Sequence, residues 1–324
     1  MPAAAERLSL LALAHVGFLS PREKIALGDM LGGAERILGL TLSDMSRLLG
    51  RRFTTAAWEP GRLIDRAQAC EKRLTEDGIG CIFYSDTAYP QQLREIFDPP
   101  VTLFYRGRFP VPADMSLVGI VGTRLPTGKA RKAAFSLGFE LGTCGIGVVS
   151  GLARGIDCEA HEGCVEAAGY SIAVLGSGID VIYPVSSRRA AARILETGGL
   201  ILSEYPPGIP PRKHQFPARN RIISGLSRSV VVVQAPIKSG ALFTADYALD
   251  QGRDLFVHGA CLDGGSGAGT RGLAEAGAPM IHGYADILRE WGMAKKQTDA
   301  GEIPLSAGNT SFVEGTHPVE RLNG

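Results

Sequence analysis

Two hydrophobic periods divide the chain. From residue 8 to about 75, apolar residues recur three and four apart, as in Leu8, Leu10, Leu11 and Leu13, and again from Ile37 and Leu38 through Met45, Leu48 and Leu49. That spacing predicts short amphipathic helices, interrupted at Pro21 and at Gly32-Gly33. From Ser116 onward the pattern changes to continuous apolar runs at 117–121, 147–149, 172–175, 200–202, 230–233 and 255–257, separated by segments long enough for a helix. Strands that are apolar on both faces and joined by helical crossovers form a parallel sheet covered on both sides. The predicted fold is therefore α/β, a doubly wound, Rossmann-like, mostly parallel sheet preceded by a small all-α domain. The expected limits are 1–80 for the helical part, 81–115 for a proline-punctuated connector docking on the sheet, and 116–293 for the sheet domain. The polar, aperiodic stretch 294–324 is expected to be a disordered tail without a winged-helix domain.

Composition narrows the functional classes. Of 324 residues, 45% are hydrophobic and 42 are glycine, with a net charge of +1, so any polyanion partner must be met by a local patch rather than by the whole surface. No apolar run approaches the ~20 residues that span a bilayer, and no basic leader precedes the first apolar segment; a cytoplasmic protein without membrane contact is expected. The six cysteines are scattered with no C-x-x-C pair and read as buried thiols. Cys158, His161 and Cys164 fall on one helix, yet no second ligand pair follows at zinc spacing, so no metal and no cofactor are expected.

The polar peculiarities gather at the predicted strand ends, where ligands of such sheets bind. The first strand ends in Gly122-Thr123-Arg124, the second in Gly151-Leu152-Ala153-Arg154-Gly155-Ile156-Asp157, the third in Gly176-Ser177-Gly178 and the fifth in Lys238-Ser239-Gly240 before a helix. Glycine corners let backbone N–H groups approach an anion at a helix N-terminus, and arginine supplies a bidentate donor to phosphate. Asp157 reads as the N-cap of the helix that follows. The Gly122–Ala130 stretch resembles a Walker A loop but has one residue too many between its glycines and alanine in place of the magnesium-binding hydroxyl. No paired carboxylates, Cys–His dyad or G-x-S-x-G motif supplies a catalytic group, so no enzyme is expected.

One stretch has a strongly one-sided charge. Between Glu204 and Asp246 there is no acidic residue, whereas Arg212, Lys213, Arg219, Arg221, Arg228 and Lys238 all occur, with Phe216 among them. A crevice with repeated phosphate donors and no catalytic group suits a nucleic-acid backbone. Phe216 then either stacks on a base, a contact indifferent to sequence, or packs as part of the core. The run Arg219-Asn220-Arg221 either lines the crevice or clamps its wall by bonding backbone carbonyls.

Taken in order, several motifs resemble the DNA-processing protein A (DprA, or Smf) family. They are Tyr89-Pro90 with Asp98-Pro99-Pro100, Gly122-Thr123-Arg124, the 150–157 glycine turn, Gly176-Ser177-Gly178 with Tyr183-Pro184, Ser203-Glu204-Tyr205-Pro206, the 216–227 run, and Ser239-Gly240 with Gln251-Gly252-Arg253. The resemblance implies an extended Rossmann domain after a sterile-alpha-motif-like (SAM-like) helical domain. It further implies a homodimer that binds single-stranded DNA without sequence preference, protects DNA taken up in natural transformation and helps load the RecA recombinase. By position, Arg124 and Lys213 are the implied backbone contacts and Phe216 the base contact. Gly151, Arg154, Gly155, Arg219, Asn220, Arg221, Lys238, Ser239 and Gly240 are expected around them. The chain departs from the family at Val257-His258-Gly259-Ala260, usually valine-proline-glycine, and at Gly269-Thr270-Arg271, where an asparagine is usual. The alternative is a nucleoside-monophosphate-cleaving enzyme of the related lysine-decarboxylase-like group, but the turn that would carry its catalytic glutamate holds Ser239-Gly240 and no glutamate in the following helical turn.

Overall fold

A computed structural model describes residues 4–54, 58–112 and 114–293; the expected disordered tail, 294–324, lies outside them. The chain first forms α1 (Ala4–Ala14), α2 (Pro21–Leu31), α3 (Ala34–Leu38), α4 (Leu42–Leu49) and α5 (Pro60–Glu76). Two of these start at reciprocal caps. The Ser20 hydroxyl accepts from Glu23 N at 3.2 Å while Ser20 N donates to the Glu23 carboxylate at 2.8 Å, and Thr41 and Asp44 repeat the arrangement. Leu11, Leu13, Leu27, Ile37 and Met45 are buried in one apolar cluster with Phe83, Phe104, Leu175 and Ile201, so the helices rest on a face of the sheet.

The sheet begins with β1 (Gly80–Phe83), α6 (Gln91–Arg94) and β2 (Thr102–Gly107). It continues through β3 (Leu117–Val121), α7 (Gly128–Thr143), β4 (Gly147–Ser150), α8 (Ile156–Glu166), β5 (Ser171–Leu175), α9 (Arg188–Glu196) and β6 (Leu200–Ser203). The remainder is α10 (Gln215–Leu226), β7 (Ser229–Val232), α11 (Gly240–Asp250), β8 (Asp254–His258), α12 (Ala268–Glu275), β9 (Met280–Ile281) and α13 (Tyr284–Glu290). The strands form one sheet in the order β1-β2-β6-β5-β4-β3-β7-β8-β9. The six apolar runs of the sequence are β3 to β8, and every residue of β3, β4, β5, β6 and β7 is buried, as strands covered on both faces require.

Residues 81–115 do more than connect. β2 pairs antiparallel with β6, placing Phe104 opposite Ser203, and β1 pairs antiparallel with β2, so this stretch extends the sheet. From β3 the chain winds outward through β4, β5 and β6, then returns to add β7 on the other side of β3. The winding reverses there, and connections on the two sides diverge.

Candidate nucleic-acid interface

The divergence leaves a crevice outside the carboxyl ends of β3 and β7. A cavity of about 650 Å³ fills it, bounded by Gly122, Thr123 and Arg124 after β3 and by Lys238, Ser239 and Gly240 at the start of α11. The third wall is α10, which turns Phe216, Arg219, Asn220 and Ile223 inward. These stand at i, i+3, i+4 and i+7, the spacing of one helical face. Lys213 joins them from the turn just before the helix. Arg124, Lys213 and Lys238 are exposed, so three cations meet solvent around one opening.

Phe216 stands half-buried among them. The Arg124 guanidinium lies 5.7 Å from its ring centroid, and the Tyr183 ring lies 5.6 Å away at 42°. A Cβ on Gly176 would sit 2.8 Å from Phe216 Cδ1, so the glycine at the end of β5 is what gives the ring its seat. The Ser239 hydroxyl accepts from Ala241 N at 3.3 Å and caps α11.

Arg219 and Asn220 serve the wall. Arg219 is 5% exposed and donates to Gly151 O at 2.7 Å and to Val174 O, which pins α10 to the ends of β4 and β5. Burial lowers its pKa to about 10, against the pull of Asp157, so it stays charged at neutral pH. Asn220 Nδ2 donates to Gly240 O at 3.1 Å and ties α10 to the first residue of α11.

Three expectations are corrected by position. Arg221 is not in the crevice. It lies on the back of α10, 7% exposed, donating to Glu204 at 2.7 Å, Asp98 O at 2.7 Å and Ala218 O at 2.9 Å. Burial works against its charge, but Glu204 and Asp98 outweigh it and raise the guanidinium above its ordinary pKa. Gly155 does not line the opening either. It has φ +82°, and a Cβ there would meet Thr123 O at 2.5 Å, so it lets the loops after β3 and β4 touch. Asp157 is the second residue of α8 rather than its cap; its carboxylate turns back to accept from Gly151 N at 3.1 Å and Ala153 N at 3.4 Å. Burial raises its pKa, with Arg219 opposing.

Gly151 and Arg154 open onto an adjoining cleft of about 250 Å³ rather than the main cavity. Tyr183, 47% exposed, lines both cavities and was missed as a site residue; the signal was its place after the Gly176-Ser177-Gly178 turn. The residues that depart from the family pattern line neither cavity, and two of them support the crevice from behind. Thr270 Oγ1 accepts from Ala235 N at 2.7 Å, and Gly269 packs against Pro236 O, holding the loop that carries Lys238. His161, considered with two cysteines as a ligand, is buried with Nδ1 2.7 Å from Ser171 Oγ. Among the described residues no cluster of His, Cys, Asp or Glu is placed to hold a metal.

The pattern that defines the DNA recombination-mediator protein A family matches residues 80–292. The chain belongs to this family. The match starts at β1, so both antiparallel strands fall inside it, while α1 to α5 precede it. Protein Smf of Synechocystis is 39% identical over 271 residues, 83% of this chain and 64% of that protein. DNA processing protein DprA of Streptococcus pneumoniae is 41% identical over 255 residues, 78% of this chain and 87% of that protein. The solved structure of the S. pneumoniae protein matches with a TM-score of 0.70 at 32% identity, covering 90% of this chain and 99% of that one. A second solved structure, which concerns the single-stranded DNA binding mode of the Helicobacter pylori protein, matches with a TM-score of 0.59 at 30% identity over 66% of this chain and 95% of that one. The family places the chain in DNA processing and recombination. Among the described residues no helix is long and apolar enough to cross a membrane.

Proposed function

We propose that the chain binds single-stranded DNA in the crevice between β3 and β7, without sequence preference and without chemistry. The observation that carries this is the convergence of Arg124, Lys213 and Lys238 on one half-buried ring, Phe216. The cations meet phosphates, which every sequence offers, and the ring meets a base face, which every base has. The lining carboxylate, Asp157, is engaged by Gly151 N, Ala153 N and Arg219, which leaves the anion side of the crevice to the ligand.

In this reading the protein is a cytoplasmic, homodimeric recombination mediator. It shields strands taken up in natural transformation and helps load RecA. Family membership and the single-stranded DNA binding described for the H. pylori relative support it. The test is fluorescence anisotropy with labelled oligo-dT across a salt series. Binding should weaken steeply as salt rises, because each neutralised phosphate releases counterions. Absence of binding, or equal binding by an Arg124→Glu, Lys213→Glu double variant, would overturn the assignment.

A further inference from the structure

The smaller cleft lies directly beyond the partition formed by Arg124 and Phe216, and Tyr183 and Arg219 line both spaces. Its own features are those of a nucleotide seat. Gly151 gives it a floor without a side chain, since a Cβ there would run into the Arg219 guanidinium. Arg154 is exposed at its mouth, with Nε held by Ser186 Oγ at 3.0 Å, so the guanidinium is oriented yet keeps its other donors. Opposite stands the Tyr183 ring. At 5.6 Å from Phe216 and tilted by 42°, it leaves no room for a base between the two rings, so each ring offers its own outer face. Leu125, 85% exposed, sits at the rim shared by both spaces.

We infer that this cleft is a second nucleotide subsite, in which Tyr183 stacks on a base and Arg154 holds the adjoining phosphate. The strand passes over the Arg124–Phe216 partition, one nucleotide on each side, with the two bases unstacked from one another. A duplex cannot occupy the pair of subsites, because its bases remain stacked and paired; the partition thereby selects single strands.

This rests on the crevice being the DNA site, and the experiment keeps the two ideas separate. Anisotropy with oligo-dT, with an oligonucleotide of the same length carrying abasic positions, and with duplex is measured for the wild type, Tyr183→Ala, Tyr183→Phe and Arg154→Gln. Tyr183→Ala should lose affinity for oligo-dT about 5- to 150-fold, the range of a lost base–aromatic stack, at unchanged salt slope. Tyr183→Phe should remain within about twofold, since the ring face is kept. The abasic oligonucleotide should bind Tyr183→Ala and wild type alike, which a merely structural defect would not produce. Arg154→Gln should reduce the salt slope by about one. If the wild type binds oligo-dT and Tyr183→Ala binds it equally well, the subsite is wrong and the crevice stands. If the wild type binds none, the proposed function itself fails. Equal loss of the abasic oligonucleotide would also overturn the stacking role.

Discussion

Arg221 and Glu204 meet at 2.7 Å behind α10, with side chains only 7% and 17% exposed. A buried ion pair is a weak source of net stability, but removing one partner strands the other's charge, at a cost of about 3–5 kcal/mol. Arg221→Met should therefore lower the unfolding free energy by about that amount in urea titrations, with the salt slope of DNA binding in the folded fraction unchanged. A reduced slope would mean that Arg221 reaches phosphate.

Arg124 and Lys213 behave oppositely, since both are exposed at the opening. Neutral substitutions, Arg124→Gln or Lys213→Gln, should leave the unfolding free energy from urea titrations within about 0.5 kcal/mol of wild type, as surface changes usually do. Each should reduce the slope of log affinity against log salt by about one. Charge reversal to glutamate should nearly abolish binding.

Phe216→Ala should weaken oligo-dT binding by about 1–3 kcal/mol without altering that slope. Gly176→Ala reaches the same ring from below. Its Cβ, 2.8 Å from Phe216 Cδ1, must displace the ring, and the strain of such an insertion is about 1–3 kcal/mol. Reduced affinity together with this modest instability is expected; unchanged affinity would show that the seat of the ring is unimportant.

His161 makes stability depend on pH. Desolvation on burial lowers its pKa to about 3. The unfolded histidine titrates near 6.5, so below that pH the unfolded state binds the extra proton and stability falls as pH falls, down to about pH 3. Between pH 7 and pH 5 the loss from this residue is about 2 kcal/mol. His15, lowered to about 4 chiefly by burial, acts in the same direction. His161→Asn should flatten the profile over this window; an unchanged profile would assign the pH dependence elsewhere.

The central strands were legible because a strand buried on both faces must be apolar throughout, and Val230 to Val233 admits few other readings. β1 was not, since Cys81-Ile82-Phe83 is short, and the antiparallel pairing of β2 with β6 leaves no local mark in sequence. Of the basic stretch, the charge and the ring were legible but the direction of each side chain was not. Once residues 215–226 form a helix, Arg219 and Arg221 point about 200° apart at 3.6 residues per turn, so they cannot share a wall. One pins the wall of the crevice to the ends of β4 and β5, and the other grips the opposite side of the helix. Both are buried cations, and burial of a charge depends on distant partners, here Gly151, Val174, Glu204 and Asp98.

The Arg221 clamp also sets an angle. It fixes the roll of α10 about its own axis from behind, while Phe216 stands on the front of the same helix. At a side-chain radius of about 5–6 Å, a roll of ~10° carries the ring by on the order of 1 Å. Any event that loosens Glu204 or Asp98 would therefore be read at the crevice as a ring turned out of aim, so the rear of the helix acts as the sighting adjustment for its front.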